Sequence, residues 1–291
     1  MISIRSESLS AEISVMGAQL KSLKKEPSSL QLLWTGEDER YWRNSAPILF
    51  PIVGALPEDE YVSGGRVYHM QNHGFARSRE FEIVRQTADS AELRLLSDAE
   101  TRAQYPFDFD LRLEYSMIDD TLIQRFVVKN TGKVVMPFSF GGHPGFRCPA
   151  FADEGFEDYS LVFEKAETVL CRKKEGRLLA EKRYKFLDGG SVLPLDKKLF
   201  EGTAILLDSL NSRAVSLNSA RRGPIITLRF DGFTHLGLWS GAGDDPFVCI
   251  EPWYGIDSRA DFRTLEEKEG ILMLPPGETK QALFRMKAGS L

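Results

Sequence analysis

Only three cysteines, Cys148, Cys171 and Cys249, are spread through 291 residues, and none forms a C-x-x-C pair. A disulfide framework and a thiolate zinc site are therefore not expected, and a reducing compartment fits best. Long apolar runs are also missing. No stretch approaches eighteen consecutive apolar residues, and the opening M-I-S-I-R-S-E-S-L-S has no apolar segment of the signal-peptide kind. A soluble, cytoplasmic protein with no membrane contact is expected. Lys and Arg occur in ones and twos within a formal net charge of −5, so nucleic acid and anionic membranes are poor candidates as partners. Histidine is scarce as well, with four residues (His69, His73, His143 and His235) and no pair at metal-binding spacing, so no metal is expected. Gly-x-Ser-x-Gly, a phosphate-binding glycine loop and a dinucleotide fingerprint are all absent. No repeat, low-complexity tract or Pro/Gly/Ser-rich linker divides the chain, and residues 1–291 are read as a single domain.

What the chain does hold is short strands. Ala11, Ile13 and Val15 alternate with polar neighbours up to Gly17, and Tyr61-Val62-Ser63 and Arg66-Val67-Tyr68 flank the hairpin signal Gly64-Gly65. Leu111, Leu113, Tyr115 and Met117 alternate before Asp119-Asp120, and Thr121 to Val128 follows as a meander partner. Further runs lie at Tyr159 to Phe163, Ala204 to Leu207, Ile225 to Phe230, Leu236 to Trp239, Phe247 to Ile250 and Ala282 to Met286. Only Asp98 to Gln104 reads as helix, with Ser97 or Asp98 as its cap and Pro106 limiting it. There is no βαβ alternation. The fold class is all-β, a sandwich or barrel with large sheets. The charge-rich runs Lys21 to Glu26 and Arg172 to Glu175 are read as solvated loops.

Two stretches carry chemistry-bearing residues in unusual company. In P-F-S-F-G-G-H-P-G-F, His143 stands between two glycines and a proline, so its imidazole is presented on a turn. In C-I-E-P-W-Y-G-I-D-S-R, Glu251 follows an apolar strand and is flanked by Pro252, Trp253 and Tyr254. Taken singly, each is equally compatible with a strand-end residue bonded to backbone. His73 lies in Q-N-H-G-F-A-R with Asn72 and Arg77, a loop able to donate several hydrogen bonds or to be pinned on its own carbonyls. His69 and His235 read as ordinary strand residues. Trp34, Trp42, Trp239 and Trp253 supply aromatic faces, which beside polar side chains suit a sugar, although core packing is the usual fate of tryptophan.

The segments W-R-N-S-A-P-I-L-F-P-I-V-G, H-G-F-A-R, F-G-G-H-P-G-F and E-P-W-Y-G-I-D-S-R, in this order, resemble the aldose 1-epimerase (galactose mutarotase-like) family, with the bacterial LacX-like proteins as the nearest branch. The resemblance implies a galactose mutarotase-like β supersandwich with an open cleft, and interconversion of the α and β anomers of a free aldose or aldose phosphate without a cofactor. By that likeness His143 protonates the ring oxygen and Glu251 takes the proton of the C1 hydroxyl, Glu being ionised and His able to carry a proton near neutral pH. His73 would bind the sugar. Asn72, Arg77 and Arg43 match substrate and anion contacts of the related hexose-6-phosphate branch. Asp208 matches an aspartate that binds hydroxyls, with Thr203 as the alternative in register. Val53-Gly54-Ala55-Leu56 departs from a V-G-R-L pattern, which implies a missing basic side chain at the cleft rim. A monomer or homodimer is expected, and a non-catalytic sugar-binding or regulatory protein on the same fold is the alternative function.

Overall fold

The computed structural model describes residues 1–201, 204–241 and 243–290. Its largest element is a nine-stranded antiparallel sheet in the order Leu178–Pro194, Tyr159–Glu175, Ala214–Ser219, Gly223–Arg229, Thr279–Ala288, Thr121–Asn130, Phe109–Ile118, Ser90–Leu96, Glu82–Gln86. Alternation decides which face is inside. Along Phe109–Ile118 the residues Phe109, Leu111, Leu113, Tyr115 and Met117 are buried, and on the next strand Leu122, Phe126 and Val128 meet them. The hairpin at Gly64-Gly65 and the helix Ala99–Gln104 form where the sequence places them. Both glycines have positive φ, and Asp98 accepts the Thr101 N–H as N-cap.

A second sheet carries the strands that matter most for function: Ile205–Asp208, His235–Trp239, Phe247–Trp253, Gly141–Gly142 and Ile48–Leu49, with Gly145–Arg147 also paired to Phe247–Trp253. The strand Phe247–Trp253 is buried along its whole length and runs through Pro252, although a proline there cannot donate to a ladder. Its neighbour accounts for this. Gly141 pairs with Trp253 and Gly145 with Cys249 around an interruption at His143 and Pro144, and on that side the Ile250 N–H donates to Pro144 O (3.1 Å) and the Tyr254 N–H to Phe140 O (2.9 Å), so the ladder is held on both sides of the proline and only its own bond is missing.

Two sequence expectations fail here. Lys21 to Glu26 is not a loop, because Leu20–Lys25 is a strand whose Leu20, Ser22 and Leu23 are buried. Arg172 to Glu175 is likewise the end of the 17-residue strand Tyr159–Glu175, which turns at Gly176 and returns as the equally long Leu178–Pro194. This hairpin docks back on the molecule through Leu179 N–H to Ser258 O (2.9 Å), Arg259 with Glu181 (2.8 Å) and Arg177 with Asp59 (2.9 Å). Charged side chains concealed the strand, because they reach acceptors on other segments rather than solvent alone. No helix among the described residues is long and apolar enough to cross a membrane.

Candidate active site

The four sequence motifs converge on one cleft of about 320 Å³, lined by Trp42, Asn72, His73, Arg77, His143, Lys174, Gly176, Arg177, Ala204, Trp239, Glu251, Trp253 and Asp257. Backbone contacts hold them together. His143 N–H donates to Pro47 O (3.1 Å), Gly145 N–H to Ser45 O (2.8 Å), His73 N–H to Gly54 O (3.1 Å) and Ser258 N–H to Ala55 O (2.9 Å). Gly141 and Gly142 precede His143 because nothing larger fits. A Cβ at 141 would lie 2.7 Å from Pro252 O, and one at 142 would lie 2.8 Å from the Phe284 ring.

At the interruption, His143 Nε2 lies 3.1 Å from Glu251 Oε2, and the two side chains are 12% and 1% exposed. Among the described residues neither Glu251 oxygen nor His143 Nδ1 has a well-aligned hydrogen bond, and Asn72 Oδ1 and Trp253 Nε1 are without a partner in the same cleft. Buried polar atoms are nearly always satisfied, so this concentration makes the cleft suited to polar ligand atoms. Trp42 and Trp239 pack beside the imidazole at ring-centroid distances of 4.9 Å and 5.7 Å, and His73 lies 5.8 Å away. Trp34 sits beneath, donating its indole N–H to Trp42 O (2.7 Å).

His73 adopts a positive φ of 66° and accepts the Gly54 N–H on Nδ1 (3.0 Å), which leaves Nε2 as its N–H donor. Such a conformation in a non-glycine residue is strained and persists where its surroundings enforce it. Burial holds His73 well below the usual histidine range, aided by the charge of Arg77. Arg77 donates to Asn72 O (2.9 Å) and has no carboxylate partner among the described residues.

Burial also decides the protonation of the central pair. It pushes His143 down to about 3 and Glu251 well above the carboxylate range, the latter against the favourable charge of Lys174. Desolvation thus disfavours the charged form of each group, which runs against the expectation of an ionised Glu251 in the free site.

Five of the residues singled out from the sequence, His73, Asn72, Arg77, His143 and Glu251, line the cleft. Two do not. Arg43 is turned to solvent and paired with Glu39 (3.2 Å), its side chain 67% exposed, so the neighbouring Trp42 reaches the cleft in its place. Asp208 pairs in register with His235 at the far end of its strand, where Arg172 (3.9 Å) and Arg183 (3.5 Å) draw its carboxylate away, and Ala204 occupies the cleft instead. Thr203 lies outside the described residues. Position 55 is fully buried, its N–H given to Asp257 Oδ1 (2.9 Å), so it lies beneath the cleft and not on its rim.

The sequence reading missed Lys174, Arg177 and Asp257. Asp257 stood inside a recognised motif, whereas Lys174 and Arg177 carried no local signal beyond their charge. Lys174 Nζ is 2.9 Å from Asp257 Oδ2, and Lys268 donates to Ile256 O and Ser258 Oγ (3.1 Å), fixing the segment on which Asp257 rides. The donor atoms of His143, Cys249 and Glu251 all lie within 4.8 Å of one another. Cys249 and Glu251 share a face of one strand, and burial holds the Cys249 thiol well above its usual range, so it remains a protonated, packed group and a poor ligand.

The model of the family described as aldose 1-epimerase matches residues 1–270. The chromosomal LacX protein of Lactococcus lactis subsp. lactis is 34% identical over 296 residues, covering 97% of both chains. Among solved structures, a galactose mutarotase related enzyme from Lactobacillus acidophilus superposes with a TM-score of 0.93 at 33% identity, over 99% of this chain and 97% of that one. A galactose mutarotase-like protein from Lactobacillus casei ATCC 334 follows at a TM-score of 0.90 and 31% identity, over 99% and 100%.

Proposed function

Because this chain belongs to the aldose 1-epimerase family, we propose that it interconverts the α and β anomers of an aldose by ring opening and closure, with His143 and Glu251 as the proton-transferring pair. The observation that carries this reading is the 3.1 Å approach of a buried imidazole to a buried carboxyl that has no well-aligned hydrogen bond among the described residues. Opening a hemiacetal requires removal of the C1 hydroxyl proton and delivery of a proton to the ring oxygen. One acid and one base suffice, and the step is redox-neutral.

The pair holds the single proton this needs. Transfer across 3.1 Å to His143 leaves a carboxylate to take the C1 hydroxyl proton and an imidazolium to protonate the ring oxygen. Rotation about C1–C2 and the reverse transfers give the other anomer. Bound sugar oxygens and Lys174 replace part of the hydration that Glu251 lacks in the free site. The faces of Trp42, Trp239 and Trp253 suit sugar C–H groups, while His73 Nε2–H and Arg77 supply donors. A volume of about 320 Å³ is at the small end of ligand sites and suits a monosaccharide.

Arg77 favours a narrower substrate class. A guanidinium without a carboxylate partner among the described residues, beside Lys174 and Arg177, is suited to a phosphorylated aldose.

The test is anomer exchange followed by NMR for a panel of hexoses and hexose 6-phosphates at matched buffer. Glu251→Gln is expected to lose on the order of 10² to 10⁴ in rate, and His143→Asn the same. Exchange at the buffer rate for every sugar, with binding still detectable, would turn the reading to a sugar-binding protein.

A further inference from the structure

Lys174 is a lysine that the local sequence consigns to solvent but the fold turns inward. Its side chain is 13% exposed and lines the cleft together with Glu251 and His143. Lysines are rarely buried unless paired, and the pairing here is one-sided. Asp257, 3% exposed, offers Oδ2 to the ammonium at 2.9 Å while its Oδ1 is taken by the Ala55 N–H. The carboxylate is thus fixed. An ammonium has three donors, and Asp257 is its only ion-pair partner among the described residues, so donors remain for the cleft. Docking of the hairpin does not require this pair, since Leu179 with Ser258, Arg172 with Glu269, Arg259 with Glu181 and Arg177 with Asp59 already hold it.

We propose that Lys174, held by Asp257, is a third working group of the site: its ammonium donates to a sugar oxygen on the Glu251 side of the ring and provides the counter-charge for the carboxylate formed on Glu251. This rests on the mutarotase reading given above. The groups that face Glu251 are His143 from the strand interruption, Cys249 from its own strand, Asp257 downstream and Lys174 from the hairpin, with His73 and Arg77 beyond the imidazole. Lys174 is the member of that set whose charge favours an ionised Glu251, and Asp257 opposes it.

The experiment compares wild type, Lys174→Met and Lys174→Arg in anomer exchange from pH 5 to 9, with sugar affinity measured in parallel by calorimetry. Lys174→Met is expected to raise KM about tenfold or more, the effect of losing one charge-assisted hydrogen bond. It is also expected to move the alkaline limb of kcat/KM, where the pair loses its single proton, to higher pH, because the carboxylate loses its nearby cation, and Lys174→Arg is expected to return the limb toward its wild-type position. Should Lys174→Met fold poorly with Asp257 left unpaired, the double variant Lys174→Met/Asp257→Asn removes both charges and still reads the sugar contact through KM and affinity. An unchanged KM and an unchanged limb in a catalysing series overturn the proposal while leaving the mutarotase reading intact. If wild type binds sugar without turning it over, the mutarotase reading fails, and equal affinity of wild type and Lys174→Met then overturns the sugar contact too. Binding of no sugar in the panel overturns both.

Discussion

At the scale of single residues, Glu251 is governed by its burial. Its carboxyl is 1% exposed and titrates well above the ordinary range, so the folded protein binds this proton more tightly than the unfolded chain does. The stability it contributes is fully present below the unfolded value near 4.5 and is lost as pH rises toward the folded value. Glu251→Gln keeps the shape and removes the titration. Its melting temperature is therefore expected to gain on wild type progressively as pH is raised from 5 to 8, every tenfold difference in proton affinity between the folded and unfolded chain being worth about 1.4 kcal/mol. Parallel melting curves over that range would contradict a raised carboxyl. The sequence made Glu251 conspicuous through its proline and aromatic neighbours, but not its protonation state, because desolvation comes from segments far away in the chain. Asp257 shows the same limit. Its motif was legible, while its task of holding Ala55 and Lys174 depends on partners 202 residues upstream and on a separate hairpin.

At the scale of elements, the strand Phe247–Trp253 and its interrupted neighbour make the site. The sequence reading ends this strand at Ile250, just before the residue that matters, because a proline two positions on ordinarily marks an edge or an end. The strand continues because the Ile250 and Tyr254 N–H groups on either side of the proline still donate to Pro144 O and Phe140 O, partners far upstream that no local rule connects to it. The glycines before His143 are explained by contact. Gly142→Ala would put a methyl 2.8 Å from the buried Phe284 ring and is expected to cost about 1–3 kcal/mol by overpacking. Phe284→Leu opens space in the same place. Urea denaturation of the two single variants and the double should give a double-variant loss clearly smaller than the sum of the singles, whereas strict additivity would mean that the clash lies elsewhere.

At the scale of the whole molecule, the local and global charges have opposite tendencies. The chain carries a formal −5, yet its cleft gathers Arg77, Lys174 and Arg177. Two of the three have carboxylate partners, Asp257 and Asp59, and burial disfavours the charged form of Glu251, so Arg77 is the cleft cation without a carboxylate partner among the described residues. Scattered basic residues in the sequence gave no hint of this gathering, which the arching hairpin Tyr159–Glu175/Leu178–Pro194 brings about by carrying Lys174 and Arg177 to a loop that begins a hundred residues earlier. If that positive charge reads a phosphate, its pull must respond to screening. Raising ionic strength from about 0.01 to 0.15 M shortens the screening length from roughly 30 Å to 8 Å. The KM for a hexose 6-phosphate is expected to rise several-fold over that range while the KM for the corresponding free hexose stays nearly constant, and Arg77→Gln should remove most of the difference between the two sugars. Identical salt responses for both would mean that Arg77 serves the Asn72 carbonyl alone, and that the cleft was shaped for a neutral aldose whose hydroxyls are read by His73, Lys174 and the tryptophan faces.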